Sequence, residues 1–412
     1  MPETGCVVVG GGPAGMVLGL LLARAGVPVT VLEKHGDFLR DFRGDTVHAS
    51  TLTLLDELGL GETFDKLPHR MVDRVTAELD AGKVAIRLDH LPGPHKHIAF
   101  VPQWDFLEML ASAAETEPTF TLIRDAEVIG LVTERGRVVG VRYRDRRPDG
   151  GGQEHELRAE LTVACDGRGS TVRSAARLHP REFGVPMDVW WFRLPRKEGD
   201  PVGALGRFST GHVAIMLDRG DYWQCAYLIR KGSDARLRAA GIQALRDEFA
   251  QLEPWTADRL DTIETWDDVK LLNVSLNRVK NWARDGLLLI GDAAHAMSPV
   301  GGVGINLAVA DAVAAARLLA EPLRAGRVRL DDLRKVQRRR WLPTVLIQTG
   351  QRLAHRFVLG RALSVALADQ PRPSRLPLPF RLLERFPVLG TVPGYLVAIG
   401  PLPEHAPDWA RR

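Results

Sequence analysis

The chain has 412 residues, 45% of them hydrophobic, enough for two domains or one large domain with an inserted lobe. Its net charge of +4 is spread along the chain; a nucleic-acid partner would call for a dense basic stripe with interleaved aromatics, and the one such run, Arg338, Arg339, Arg340, Trp341, reads as a solvated helix face. The three cysteines lie far apart and show no disulfide or metal framework, the apolar stretch Met16 to Ala23 lacks a basic leader, and the apolar tail FPVLGTVPGYLVAIGP is broken by prolines and glycines, so a cytoplasmic protein without a membrane span is expected.

The first elements lie in CVVVGGGPAGMVLGLLLARAGVPVTVLEK, residues 6–34. Three consecutive valines predict a buried strand. Gly10 allows a tight turn, Gly12 lets the backbone approach a pyrophosphate, and Gly15 lets the next helix pack close to the sheet. Pro13 and Ala14 open that helix, whose free N–H groups would face phosphates. Glu33 ends the second strand roughly 20 residues on, where a carboxylate can accept from an adenosine ribose. A lone GxGxxG can be a Gly-rich turn; strand, glycines, helix, strand and acid in that order predict a dinucleotide cradle.

A loop follows, HGDFLRDFRGDTVHAST, then a helix with apolar spacing at Leu52, Leu54, Leu55 and Leu58 that stops at Gly59. Alternating strands are expected from about residue 71 to 88, and Pro102-Gln103-Trp104-Asp105 introduces another helix. Residues 126–145 and 155–169 read as a β-meander with an exposed hairpin end. Residues 179–272 are richer in tryptophan and strands, with one helix near 239–251, and predict a separate lobe. Strand and helix return at 286–323; Pro343 predicts a kink, residues 371–379 a Pro-rich turn, and the apolar tail packing against the core. The expected class is α/β: a Rossmann-like domain from residues 1–70, 97–178 and 273–345, a β-sheet lobe from 71–96 and 179–272, and a helical C-terminal segment, 346–412.

Two further motifs each follow a strand: Cys165-Asp166-Gly167-Arg168-Gly169-Ser170 after LTVA, and Gly291-Asp292-Ala293-Ala294-His295 after LLLI. Either alone would be an ordinary turn. In this order, behind the N-terminal cradle, they resemble the three signatures of the FAD-dependent group A flavoprotein monooxygenases, the family built like para-hydroxybenzoate hydroxylase, over roughly residues 1–345.

The resemblance implies that Gly10, Gly12, Pro13, Ala14, Gly15 and Glu33 hold the ADP half of FAD. It directs Arg43 at the flavin nucleotide, Gln103 at the cofactor and the Val128 backbone at adenine. Asp166 and Gly167 would serve both FAD and the nicotinamide cofactor, and Asp292 the ribityl chain. Pro299 and the run Gly301, Gly302, Val303, Gly304, Ile305, Asn306 would form the loop beneath the isoalloxazine ring, where backbone N–H groups at a helix start can stabilise the negative N1–C2 edge of reduced flavin. His295 and His48 are expected in structural duty.

The implied reaction is hydroxylation of an aromatic or polycyclic small molecule with NADPH or NADH and dioxygen, through a C4a-hydroperoxyflavin. Trp191, Met216, Tyr222, Gln224 and Tyr227, at strand positions in the second lobe, are the candidate substrate lining, and each could equally be core. The same fold leaves open an FAD-dependent reductase or epoxidase acting on a prenyl or other apolar substrate, a halogenase or a non-catalytic flavoprotein. Against the halogenase reading, WWFRLP has Phe192 where the WxWxxP element has its second tryptophan.

Overall fold

The computed structural model describes residues 4–39, 46–147, 151–363, 381, 385 and 391–412. Arg43 and the Pro-rich stretch 371–379 lie outside them.

Five parallel strands form the centre of an eight-stranded sheet, in the order Leu287–Leu289, Glu154–Ala164, Thr4–Val9, Val29–Leu32, Phe120–Ile123. Val7, Val8 and Val9, with Val29–Leu32 and Leu287–Leu289, are buried without alternation, as expected of strands covered on both faces. The register aligns their carboxyl ends: Val9 pairs with both Ala164 and Leu32, and Ala164 with Leu289. The loops that follow, beginning at Gly10, Glu33, Cys165 and Ile290, therefore leave the sheet along one edge. That edge is where open α/β sheets bind ligands.

The expected meander is present. Ala126–Glu134, Arg137–Asp145 and the first half of Glu154–Ala164 pair antiparallel, so one long strand belongs to both arrangements. The helix Pro13–Arg24 is buried from Ala14 to Ala23 and packs between Gln103–Glu115 and Gly304–Arg324. The segment Val300–Arg324 is apolar and long enough to cross a membrane, yet 67% of its apolar window is buried inside the protein. It is the central core helix.

A second sheet of seven strands runs Lys270–Leu272, Met187–Pro195, Tyr222–Arg230, His212–Asp218, Ala204–Ser209, Arg74–Leu79, Gly82–Arg87. The amphipathic helix Ile242–Leu252 covers one face with Leu245 and Phe249. The other face looks toward Val300.

The helix Leu330–Ala354 carries Pro343 within it and widens into a π-turn at His355–Leu359. Thr391–Ala398 is helical despite Pro393, because a proline in the first turn removes an N–H that has no helical partner. The chain end then straps the first domain. Glu57 accepts from the Ala406 N–H at 2.7 Å, Arg317 donates to the His405 carbonyl at 2.6 Å, and Arg24 donates to the Ala410 carbonyl at 2.8 Å.

Candidate active site

The cradle's glycines answer to different constraints. Gly10 has φ +101°, and a Cβ there would sit 2.6 Å from the Cys165 carbonyl oxygen. A Cβ at Gly15 would sit 1.9 Å from the Gly10 carbonyl oxygen. A Cβ at Gly12 would meet no protein atom within 4 Å, so the space beside the start of helix Pro13–Arg24 is open, and no side chain caps that helix. The cradle thus leaves room and orphan N–H donors where an anion would lie. Gly11, which sequence reasoning passed over, donates its N–H to Glu33 Oε2 at 2.9 Å, and a Cβ on it would come within 3.0 Å of Phe38. Glu33 also accepts from the His35 N–H at 3.2 Å, so its carboxylate closes the end of the cradle.

Asp166 and Gly167 stand beside Gly10. Asp166 Oδ2 accepts the Val172 N–H at 3.1 Å, while its Oδ1 is buried with no partner among the described residues. Burial raises its carboxyl above the ordinary range, against the pull of Ser170 and the Val172 N–H. Such an orphan acceptor fits a hydroxyl-bearing ligand. Asp292 faces the same edge and pairs with Arg168 Nε at 3.1 Å. Gly291 is pressed between neighbouring helices: a Cβ there would lie 3.2 Å from Ala308 Cβ and 3.6 Å from Ala14 Cβ.

Two arginines join these motifs. Arg173 donates to the Ala293 carbonyl at 2.9 Å and to the Arg168 carbonyl at 2.5 Å. Its position one turn after the capping Ser170 was the available sequence signal. Behind them lies a buried network. Asp311 accepts from the Gly291 N–H at 3.1 Å and from Arg340 at 3.0 Å, and lies 2.6 Å from His295 Nε2. Burial would raise the Asp311 carboxyl, but His295 and Arg340 together hold it below the usual range. Arg340 was expected on a solvated helix face; the structure corrects this, because its helix turns Arg340 inward to Asp311 and Glu404 while Arg339 stays near the surface.

The loop 298–306 lies above the same edge. Gly301 and Gly302 are left-handed, with φ +81° and +64°, after Pro299. Gly304 and Ile305 begin helix Gly304–Arg324. Asn306 Oδ1 is held by Ser50 Oγ at 2.9 Å and Thr51 Oγ1 at 2.5 Å. His48, the residue before helix Ala49–Glu57, donates from Nε2 to the Gly302 carbonyl at 3.0 Å. Burial lowers its pKa to about 4, so the neutral ring makes this bond. Gln103 starts helix Gln103–Glu115, and Val128 lies two residues beyond Ala126, whose N–H donates to the Glu33 carbonyl at 2.8 Å.

The expected substrate residues divide between the two faces of the second sheet. Met216 pairs with Cys225 and Tyr227 with Trp190; all four pack with Phe249 under the covering helix. The Tyr227 hydroxyl donates to Glu248 at 3.0 Å and lies 2.6 Å from His212 Nδ1. Met216 and Tyr227 are therefore core, not lining, because strand alternation points them away from the loop. Phe192 lies on the same helix-covered side.

Trp191 turns the other way, onto the buried cluster that Ile215 and Val300 also pack against, its indole N–H buried without an acceptor among the described residues. Tyr222 and Gln224 share its face. Arg193 stacks 4.8 Å over Tyr222, and Gln224 accepts from Arg219 Nε at 2.8 Å.

The profile of the FAD binding domain family matches residues 3–343. The chain is 35% identical to 6-methylpretetramide 4-monooxygenase of Streptomyces rimosus over 78% of its own length and 76% of that protein. It is 24% identical to protoasukamycin 4-monooxygenase of Streptomyces nodosus subsp. asukaensis over 82% and 84%. Among solved folds, OxyS anhydrotetracycline hydroxylase from Streptomyces rimosus superposes with a TM-score of 0.71 at 21% identity, covering 95% of this chain and 75% of that one.

Proposed function

This chain belongs to the FAD-binding-domain family of group A flavin-dependent monooxygenases, and we propose that its substrate is a flat polycyclic phenol hydroxylated on a ring carbon. The enzyme consumes NAD(P)H and dioxygen; one oxygen atom enters the product and the other leaves as water. FAD, when bound, supplies the activation of dioxygen.

The chain's own residues do the rest. Gly12 and the start of helix Pro13–Arg24 would take the pyrophosphate, Glu33 the adenosine ribose, and Asp166 and Asp292 hydroxyls along the cofactor. The orphan Asp166 oxygen and the open space at Gly12 support that fit. The loop at Gly301–Asn306 would present N–H groups to the ring edge that becomes negative on reduction. On that side of the second sheet an apolar cluster, completed by Leu359 and Leu363 and joined by Val300 of the loop, would help orient a planar substrate and exclude water from the oxygen-transfer step.

The observation that carries the substrate class is Trp191: a broad indole on the loop-facing side with one buried, unanswered N–H. It suits a ring system bearing a carbonyl or phenolic oxygen. The 4-monooxygenase relative, named for the polycyclic 6-methylpretetramide, points the same way. The test is to incubate the FAD-loaded protein with NADH or NADPH and 6-methylpretetramide. Expected are stimulated NAD(P)H oxidation and a product heavier by one oxygen atom. Stimulation by para-hydroxybenzoate but not by 6-methylpretetramide would overturn the polycyclic assignment.

A further inference from the structure

The loop 298–302 is gripped by side chains from the C-terminal helix. Gln351 Oε1 accepts the Ser298 N–H at 3.2 Å, and its Nε2 donates to the carbonyls of Ser298 and Val300, each at 2.9 Å. His355 Nε2 lies 2.8 Å from Ser298 Oγ, which accepts the Val300 N–H at 3.3 Å. Gln351 and His355 are one turn apart on one helix face, at the point where the helix widens into its π-turn. Gln351, His355 and Ser298 are all buried.

These bonds decide which way the loop's peptides face. A trans peptide is planar, with its C=O and N–H antiparallel. With the Val300 carbonyl turned toward Gln351, the Gly301 N–H must point away from Gln351. The Gly302 carbonyl is likewise taken by His48, which turns the Val303 N–H away from the imidazole. Gly301 and Gly302 would otherwise permit peptide rotation at little cost, since neither carries a Cβ.

We propose that Gln351 and His355 are positioning residues that aim the Gly301 peptide dipole and thereby tune how strongly the loop stabilises reduced over oxidised flavin. Both lie beyond residue 343, where the match to the family ends, so the device belongs to this chain's C-terminal segment. The proposal rests on the FAD reading of the loop.

The test compares Gln351→Leu, His355→Leu and His355→Gln with the parent, measuring the affinity for oxidised FAD and, anaerobically by dye equilibration, the potential of bound FAD. Gln348→Leu is the control. Gln348 is also buried; it donates to the Asn277 and Ala296 carbonyls at 2.7 and 3.2 Å and accepts from Arg278 at 3.0 Å, with no hydrogen bond to residues 298–302.

Gln351→Leu should weaken reduced FAD about tenfold more than oxidised FAD, a fall of about 30 mV in the two-electron potential. His355→Leu should shift the same way and His355→Gln, which keeps a hydrogen-bonding group for Ser298, should stay near the parent. Gln348→Leu should lose thermal stability at unchanged potential. An unchanged potential in Gln351→Leu, or an equal shift in Gln348→Leu, overturns the proposal. If Gln351→Leu does not fold, the His355 pair decides: different potentials support it and equal ones overturn it. A parent protein that takes up no FAD fails earlier, and fails the FAD reading instead.

Discussion

Arg168 Nε stands 3.1 Å from Asp292 Oδ2, and this ion pair ties the turn after one parallel strand to the turn after its neighbour. Both side chains are about one-third exposed, at 33% and 31%, so the pair adds little to stability. Arg168→Ala should change unfolding free energy by less than about 1 kcal/mol. Asp292→Ala removes an acceptor proposed for the ribityl chain and should weaken FAD about 10- to 100-fold, the range of a lost charged hydrogen bond. Fluorescence titration with FAD reads this, and parental affinity in Asp292→Ala would remove the assigned role.

Gly12 and Gly15 should respond differently to the same added methyl. Gly15→Ala forces a Cβ to 1.9 Å from a backbone carbonyl, and the FAD-free protein itself should lose about 3 kcal/mol or more. Gly12→Ala meets no protein atom, so the FAD-free protein should melt as the parent does while FAD affinity falls steeply. If Gly12→Ala bound FAD normally, the pyrophosphate would have to lie elsewhere.

His48 makes stability depend on pH. The folded protein keeps it neutral down to about pH 4, whereas an unfolded imidazole charges near 6.5. Between those values the unfolded state binds more protons, so stability falls as pH falls, by on the order of 3 kcal/mol over the window. His48→Gln, which retains a donor for the Gly302 carbonyl, should lack this component. Urea unfolding of both proteins at pH 7 and pH 4.5 checks it; parallel losses would contradict the assignment.

Opposite faces of one sheet should separate substrate effects from structural ones. Trp191→Phe removes the indole N–H on the loop-facing side and should raise KM for 6-methylpretetramide roughly tenfold, the value of one hydrogen bond left unmade. Met216→Leu, under helix Ile242–Leu252, should leave KM and kcat unchanged and alter stability by less than about 1.5 kcal/mol. Steady-state kinetics at fixed NAD(P)H distinguish them, and a KM shift confined to Met216→Leu would reverse the two faces.

What local chemistry dictates was legible in the sequence. The valine strand, the spacing of Gly10, Gly12 and Gly15, the acid at Glu33 and the strand-ending Asp166-Gly167 and Gly291-Asp292 are short-range patterns, and each encodes its own turn. The β-meander and the helix Ile242–Leu252 follow from periodicity in the same way. The aligned carboxyl ends of the parallel strands bring those motifs to one edge, and that register comes from pairing between segments more than 100 residues apart. Side-chain direction was the other hidden quantity. Tyr227 and Gln224 both sit on the strand Tyr222–Arg230, yet which parity faces the loop was decided by the helix that covers the opposite face. Arg340 looked like surface and is buried because Asp311 and Glu404 meet it from distant segments. Gln351 gave no signal at all, since a glutamine mid-helix becomes a brace only when folding lays the backbone of Ser298 and Val300 against it. Local steric and hydrogen-bonding rules are written residue by residue, while the partners of a buried polar group are chosen only when the chain closes around it.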